Sequence, residues 1–382
     1  VVPPQLAPVT ATAPSGAFFG DRSLLSEECR HWAVAPSCTL VALGLDWSDR
    51  AAAALLAAAG HAAESGNRLV LLHFGAGGTS LVATLAREEP ALSCTTVEAA
   101  PTAAALRTAA GILAARPCGP AELSIDGSGR VWTPRWAEVT ERPVAEAPLT
   151  PDQTVLISGG LGGIGRALAR RLYRRFGVRL VLVDDVSPDS PGADGLRAGG
   201  VPFVHVVADV ADRDRLADAL GSGPVDVLIH CAGIVAGGRV LELDTAALDQ
   251  LIRPKAYGLR ALLETVTPGR TLAFGSVLAR LPHPGVGAYA LANELLRRAG
   301  DGDPKAGVLT AEWSIWDDVG IAAETGAVKV ARRAGYTPIP AEHGLRMVET
   351  LLGWSRTESS VLVSSRPPSG RSAADGSTTR QT

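Results

Sequence analysis

Lysine is nearly absent from this sequence. Of its 36 basic residues only three, Lys255, Lys305 and Lys329, are lysines. Arginine is the default cation, so a lysine marks a place where a compact, tunable ammonium is wanted rather than a planar guanidinium. Cysteine is also scarce. The five present (Cys29, Cys38, Cys94, Cys118 and Cys231) are odd in number and scattered, with no pair at metal-ligand spacing. That excludes a disulfide framework or a cysteine metal site and fits the reduced thiols of a cytoplasmic protein. No apolar run is long enough for a membrane span; Ala51–Ala59 is too short and has charged flanks. A net charge of −3 gives no electrostatic reason to expect nucleic acid or an anionic membrane as partner.

What is present is apolar residue, 46% of 382 residues, enough for two domains with cores. The first residue is Val and no signal-like segment follows it, so the chain is expected to be a piece of a longer polypeptide. Residues 1–20, rich in Pro, Ala and Thr, are expected to be a linker. A first α/β region follows, with strands expected at Thr39–Leu45, Arg68–His73 and Cys94–Glu98 and helices at Arg50–Ser65, Leu81–Glu88 and Thr102–Ala115. Glu122–Ile125 and Arg130–Trp132 read as a hairpin. Gly75-Ala76-Gly77-Gly78 follows a strand; it could cradle a phosphate or serve only as a flexible turn.

After a proline-bearing link at Pro143–Pro151 the β-α alternation becomes regular. Strands are expected at Thr154–Ile157, Arg179–Val183, Phe203–Val207, Val225–His230, Thr271–Phe274, Val308–Trp313 and Ser360–Ser364. Helices are expected at Arg166–Phe176, Arg213–Leu220, through most of 244–266, from Tyr289 to Arg298, and at Glu342–Trp354. This alternation predicts an α/β fold: a catalytic Rossmann-fold subdomain at 150–365 with a doubly wound parallel sheet, and an N-terminal truncated Rossmann-like structural subdomain at 21–149. Residues 366–382 hold almost no apolar side chains and are expected to be a disordered linker.

Ser158-Gly159-Gly160-Leu161-Gly162-Gly163-Ile164-Gly165 follows a strand and opens a helix. Such a turn allows close backbone approach and offers helix N–H groups to a dinucleotide pyrophosphate. Asp184 and Asp185 end the next strand, where a carboxylate typically binds the adenosine ribose; two carboxylates should repel a 2′-phosphate and favour NADH. Asp209 and Val210 end the third strand, a place for groups that hold adenine. Cys231, Ala232 and Gly233 end the fourth, where small residues let a cofactor pass.

Four further residues suggest acid–base chemistry on a carbonyl. A free phenol, with a pKa near ~10, is a poor acid at neutral pH, and a neighbouring ammonium lowers that value. Tyr289 is expected to donate the proton and Ser276 to bind the carbonyl oxygen. Lys255 is expected to lower the tyrosine pKa and bind ribose. Asn293, one turn beyond Tyr289 on the same face, could hold a relay water or the lysine. Each residue also has an ordinary structural reading: a core tyrosine, a capping serine, a surface lysine, a solvated asparagine.

These motifs, with Pro254-Lys255-Ala-Tyr-Gly258, Phe274-Gly-Ser276 and Tyr289-Ala-Leu-Ala-Asn293, resemble the ketoreductase domains of type I polyketide synthases, within the short-chain dehydrogenase/reductase superfamily. Most of that superfamily has Tyr-x-x-x-Lys; here Asn293 takes the lysine's place and Lys255 lies upstream, the exchange seen in synthase ketoreductases. The resemblance extends to Thr79–Pro90 and Asp126–Trp132, similar to the family's catalytically silent subdomain, and to Ala311–Gly320, similar to its strand and lid segment. It implies NADPH-dependent reduction of a β-keto group on a chain carried by an acyl carrier protein, beside other synthase domains. The sequence departs from the family pattern in three ways. Asp184-Asp185-Val186 stands where Ser-Arg-Arg is common, no Leu-Asp-Asp follows Gly233, and Leu281 replaces a stereochemical-marker tryptophan. An iterative synthase would be one source of such departures. Two other readings are a silent structural or dinucleotide-binding module and a free-standing dehydrogenase.

Overall fold

The computed structural model describes residues 16–25, 37–114, 121–133, 148–221, 223–301, 307–320, 326–333, 336–354 and 359–365. Cys29, Cys118, Lys305, the 366–382 segment and most of the Pro143–Pro151 link lie outside them. The chain divides into two compact units, Val1–Thr133 and Pro134–Thr382.

The first unit contains β1 (Ala17–Gly20), β2 (Cys38–Leu43), α1 (Asp49–Ser65), β3 (Arg68–His73), α2 (Thr79–Glu88), β4 (Cys94–Ala99), α3 (Ala103–Ala114), β5 (Ala121–Ile125) and β6 (Val131–Trp132). Its sheet runs β1-β2-β3-β4-β5-β6, with only β5–β6 antiparallel. Residues 1–20 are therefore not linker throughout. Ala17-Phe-Phe-Gly20 pairs in parallel with Thr39–Ala42, because two adjacent aromatic residues favour a half-buried pleated strand over an unstructured lead-in. Among the described residues the strands follow one another across this sheet in sequence order, so they form no switch point of the kind whose crevice receives a dinucleotide.

The second unit contains β7 (Thr154–Ser158), α4 (Gly163–Phe176), β8 (Arg179–Asp184), α5 (Pro191–Ala198), β9 (Val204–Val207), α6 (Arg213–Leu220) and β10 (Val227–His230). There follow α7 (Thr245–Ile252), a π-helical turn (Arg253–Tyr257), α8 (Gly258–Thr265), β11 (Arg270–Ser276) and α9 (Gly287–Asp301). The unit closes with β12 (Val308–Trp313), α10 (Ala327–Arg333), α11 (Ala341–Leu352) and β13 (Ser360–Val363). All seven strands are parallel, in the order β13-β12-β11-β10-β7-β8-β9. Order reverses between β7 and β10, which opens a crevice at their C-terminal ends.

Both faces of this sheet are covered. Val155, Ile157, Leu180, Leu182 and Ile229 pack on one side with Leu168 and Leu172 of α4. Leu156, Val183 and Leu228 pack on the other with Leu259 and Leu296. The strands are therefore continuous apolar runs rather than alternating ones. Helices α5 and α10 were not anticipated: the sequence Pro191–Ala198 carries two glycines, and Ala327–Arg333 has no buried residue to set a period. No helix among the described residues is long and apolar enough to cross a membrane.

Phe274, Trp313 and Trp316 form an aromatic cluster at the C-terminal end of β11 and β12, with ring centroids 5.3 Å apart for Phe274–Trp313 and 5.0 Å for Trp313–Trp316. Trp316→Ala should cost about 3–5 kcal/mol of stability in urea unfolding. A loss under about 1 kcal/mol would show that the cluster does not hold this end of the sheet.

Candidate active site

The glycine turn sits at the crevice between β7 and β10. Gly159 has φ +63°, and a Cβ there would come within 2.8 Å of the Ala232 nitrogen, so the turn can lie against the end of β10 only without a side chain. Gly163 opens α4 directly under the Gly320 backbone, where a Cβ would lie 2.5 Å from its nitrogen. Gly160 packs against Leu182 of β8, and Gly165 against the Gly159–Gly160 backbone of the turn itself. Gly162 is the N-cap of α4 and supplies no side-chain cap, so the first-turn N–H groups, at Gly163, Ile164 and Gly165, keep their capacity for an anion. That uncapped, glycine-walled helix start fits a dinucleotide pyrophosphate.

The two strand-end aspartates separate. Asp184 accepts a hydrogen bond from the Leu161 N–H at 2.9 Å, which ties β8 to the glycine turn. Burial pushes its carboxyl above the usual range. Asp185 is exposed at the rim. Asp209 forms a 2.8 Å ion pair with Arg253 and also caps the Ala211 N–H at 2.8 Å. Val210 packs against Gly258, a contact a Cβ would close to 2.6 Å. The Cys231-Ala232-Gly233 turn accommodates protein as well as any ligand. Cys231 donates its N–H to the Ser158 carbonyl at 3.0 Å, and a Cβ on Gly233 would lie 2.8 Å from the Lys255 Cε.

Ser276, Tyr289, Asn293 and Lys255 converge beside this turn. Ser276 ends β11, buried, and its Oγ accepts from the Leu278 N–H at 3.2 Å. Lys255 is 5% exposed, and its Nζ donates to the Phe274 carbonyl at 3.0 Å and lies 5.9 Å from the Tyr289 ring centroid. It reaches inward because it occupies the π-helical turn: Pro254 has no N–H to continue an α-helical ladder, and such turns recur at functional sites. Asn293 is fully buried, donates its Nδ2 to the Tyr289 carbonyl at 2.8 Å, and leaves Oδ1 without a partner. It does not hold the lysine in this arrangement; its bare acceptor suits a water.

Burial pushes Lys255 down to about 8. Burial also pushes the Tyr289 phenol above its ordinary value, and the Asn293 and Ser276 side chains pull it back only in part. Desolvation is the largest influence on the phenol, and it keeps the phenol protonated at neutral pH. That is the state a proton donor needs.

Two supporting residues were not legible as such. His230, buried at the end of β10, contacts Ser158 Oγ through Nδ1 at 2.7 Å and the Lys255 carbonyl through Nε2 at 2.9 Å. A histidine closing an apolar strand was the available signal. Glu312 on β12, 1% exposed, accepts from Arg280 Nε at 2.8 Å and so anchors the connection between Ser276 and Tyr289.

A parallel sheet with a glycine turn at its switch point and a Ser–Tyr–Lys–Asn group beside it has the architecture of a Rossmann-type fold. The KR domain family model matches residues 153–318. Erythronolide synthase EryA2 of Saccharopolyspora erythraea is 35% identical over 222 residues, covering 54% of this chain and 6% of that protein. Polyketide synthase GfsB of Streptomyces halstedii is 32% identical over 247 residues, covering 60% and 4%. Among solved structures, the first ketoreductase of the tylosin polyketide synthase aligns at TM-score 0.67 and 27% identity, covering 85% of this chain and 77% of that one. The ketoreductase from the first module of phoslactomycin biosynthesis in Streptomyces sp. HK803 aligns at TM-score 0.77, covering 92% and 89%; at 22% identity it supports the fold. Residues 153–318 thus match the KR domain family, and the chain is similar to polyketide synthase ketoreductases in sequence and fold. It spans only a few per cent of the length of the two synthases it matches, 6% and 4%.

With only three lysines, the Lys255 ionisation can be followed directly. In protein carrying 13C at the lysine ε-carbon, the NMR signal removed by Lys255→Met should titrate near 8. Titration at the ordinary ~10.4 would show that the ammonium is not desolvated.

Proposed function

We propose that this chain reduces the β-keto group of an acyl thioester, carried on an acyl carrier protein within a larger synthase, to a β-hydroxyl. The observation that carries the reading is the convergence of the Ser276 and Tyr289 hydroxyls with the buried Lys255 ammonium beside an uncapped glycine turn. A nicotinamide cofactor, when bound, supplies the hydride. The chain's residues do the rest. Ser276 donates a hydrogen bond to the substrate carbonyl oxygen and orients it. Tyr289 transfers its phenolic proton to that oxygen as negative charge develops there. The Lys255 ammonium lies close enough to stabilise the phenolate left behind. A water accepted by Asn293 Oδ1 would begin the path that returns a proton to Tyr289.

The cofactor's pyrophosphate would rest on the α4 N-terminus, with Gly159–Gly165 as its wall and Cys231–Gly233 opposite. Asp184 and Asp185 would lie at its ribose end. Asp185 is exposed there and carries a charge that opposes a 2′-phosphate, which supports NADH over the NADPH typical of the family. Lys255 holds its proton below about 8 and loses it above. Turnover should therefore be level on the acid side of that value and fall as pH rises through it.

Oxidation of NADH and NADPH with a β-ketoacyl thioester surrogate tests both parts. Tyr289→Phe should lower kcat by about 10²–10⁴-fold; a wild-type rate no higher than that variant's refutes the activity. Asp185→Arg should move the NADPH/NADH preference toward NADPH by about tenfold, ~1.4 kcal/mol. An unchanged ratio would place the discrimination elsewhere.

A further inference from the structure

His230 is fully buried and joins three site segments: the end of β7 where the glycine turn begins, the end of β10 and the π-helical turn. A carbonyl can only accept, so Nε2 carries the ring hydrogen and donates to the Lys255 carbonyl. Nδ1 is then the bare acceptor, and the Ser158 hydroxyl donates to it. Both ring nitrogens are satisfied in the neutral form. Burial first, and the Lys255 ammonium second, push His230 down to about 3, so the ring moves no proton at neutral pH.

The π-helical turn departs from regular i→i+4 spacing: the Gly258 N–H is shared between the Arg253 and Lys255 carbonyls, which leaves the Lys255 carbonyl room for the second donor that His230 supplies. Gly258 also clears space for the ring: a Cβ there would lie 3.3 Å from the His230 Cε1. If the turn closed to α-helical spacing, Lys255 would rotate off its line to the Phe274 carbonyl and the Tyr289 ring. We propose that His230 is a positioning residue for the reduction: its Nε2–H holds the π-helical turn open, and its Nδ1 links that turn through Ser158 to the cofactor's glycine loop. This rests on the function proposed above.

Two substitutions divide the ring's two contacts. His230→Gln retains a donor at the Nε2 position; His230→Asn retains a group at the Nδ1 position and loses reach to the Lys255 carbonyl. The groups facing Lys255 are Tyr289 on α9, the Cys231 thiol and His230 itself. In His230→Gln, kcat with the thioester surrogate should stay within about threefold of wild type and the ε-carbon signal of Lys255 should still titrate near 8. In His230→Asn, kcat should fall at least about tenfold, as sub-ångström misplacement of a reacting group predicts. Its Lys255 signal should move up toward the free-lysine value, and its alkaline limb should move with it. Equal losses in both variants, tracking a common drop in melting temperature, would make His230 a core filler and overturn the proposal. So would two variants both like wild type. The lysine titration needs no turnover. If wild type proves inactive, the proposed function fails, while a signal that shifts in His230→Asn but not in His230→Gln still upholds the positioning role.

Discussion

A buried ammonium is the constraint around which the second unit's site is built. Lys255 gives up most of its hydration, and the fold compensates from several directions: the Phe274 carbonyl from β11, the face of the Tyr289 ring from α9, and the absence of a side chain at Gly233. The turn that carries it is itself held at several points. Arg253 pairs with Asp209, the Lys255 carbonyl meets His230, and Gly258 lets Val210 pack against the backbone. Those anchors come from the ends of β9 and β10, so the sheet's C-terminal edge fixes the lysine as it does the cofactor turn.

The same constraint explains why the tyrosine can remain an acid. Desolvation makes the phenolate costly, so the phenol rests protonated. The neighbouring Lys255 ammonium, fixed in place before any charge develops, would offset part of that cost when the phenolate forms.

Much of the fold was readable in the sequence. Strands such as Arg68–His73 and Val308–Trp313 lie where apolar runs place them, because fully covered parallel strands leave a continuous apolar signature. The Tyr289–Asn293 spacing and the scarcity of lysine pointed to four residues that the fold brings together beside the glycine turn. What escaped reading is what depends on distant contacts. Phe18–Phe19 becomes a strand only because β2 offers an edge. The π-helical turn looks like ordinary helix in sequence. Asp184 and Asp185 are chemically identical neighbours, and only the Leu161 N–H distinguishes them. His230 looked like the last residue of a strand, its partners being 72 and 25 positions away.

The crossing of Gly163 and Gly320 has a mechanical meaning. Two backbones meet there, with no side chain between them to bend or change rotamer. Gly320 also presses on Ile164, where a Cβ would come within 3.0 Å of Cγ1. Protein packing yields little at such bare contacts. The glycine turn proposed to hold the cofactor's phosphates and the backbone at Gly320 therefore meet as one stiff joint, in which a displacement at one side is passed on rather than absorbed.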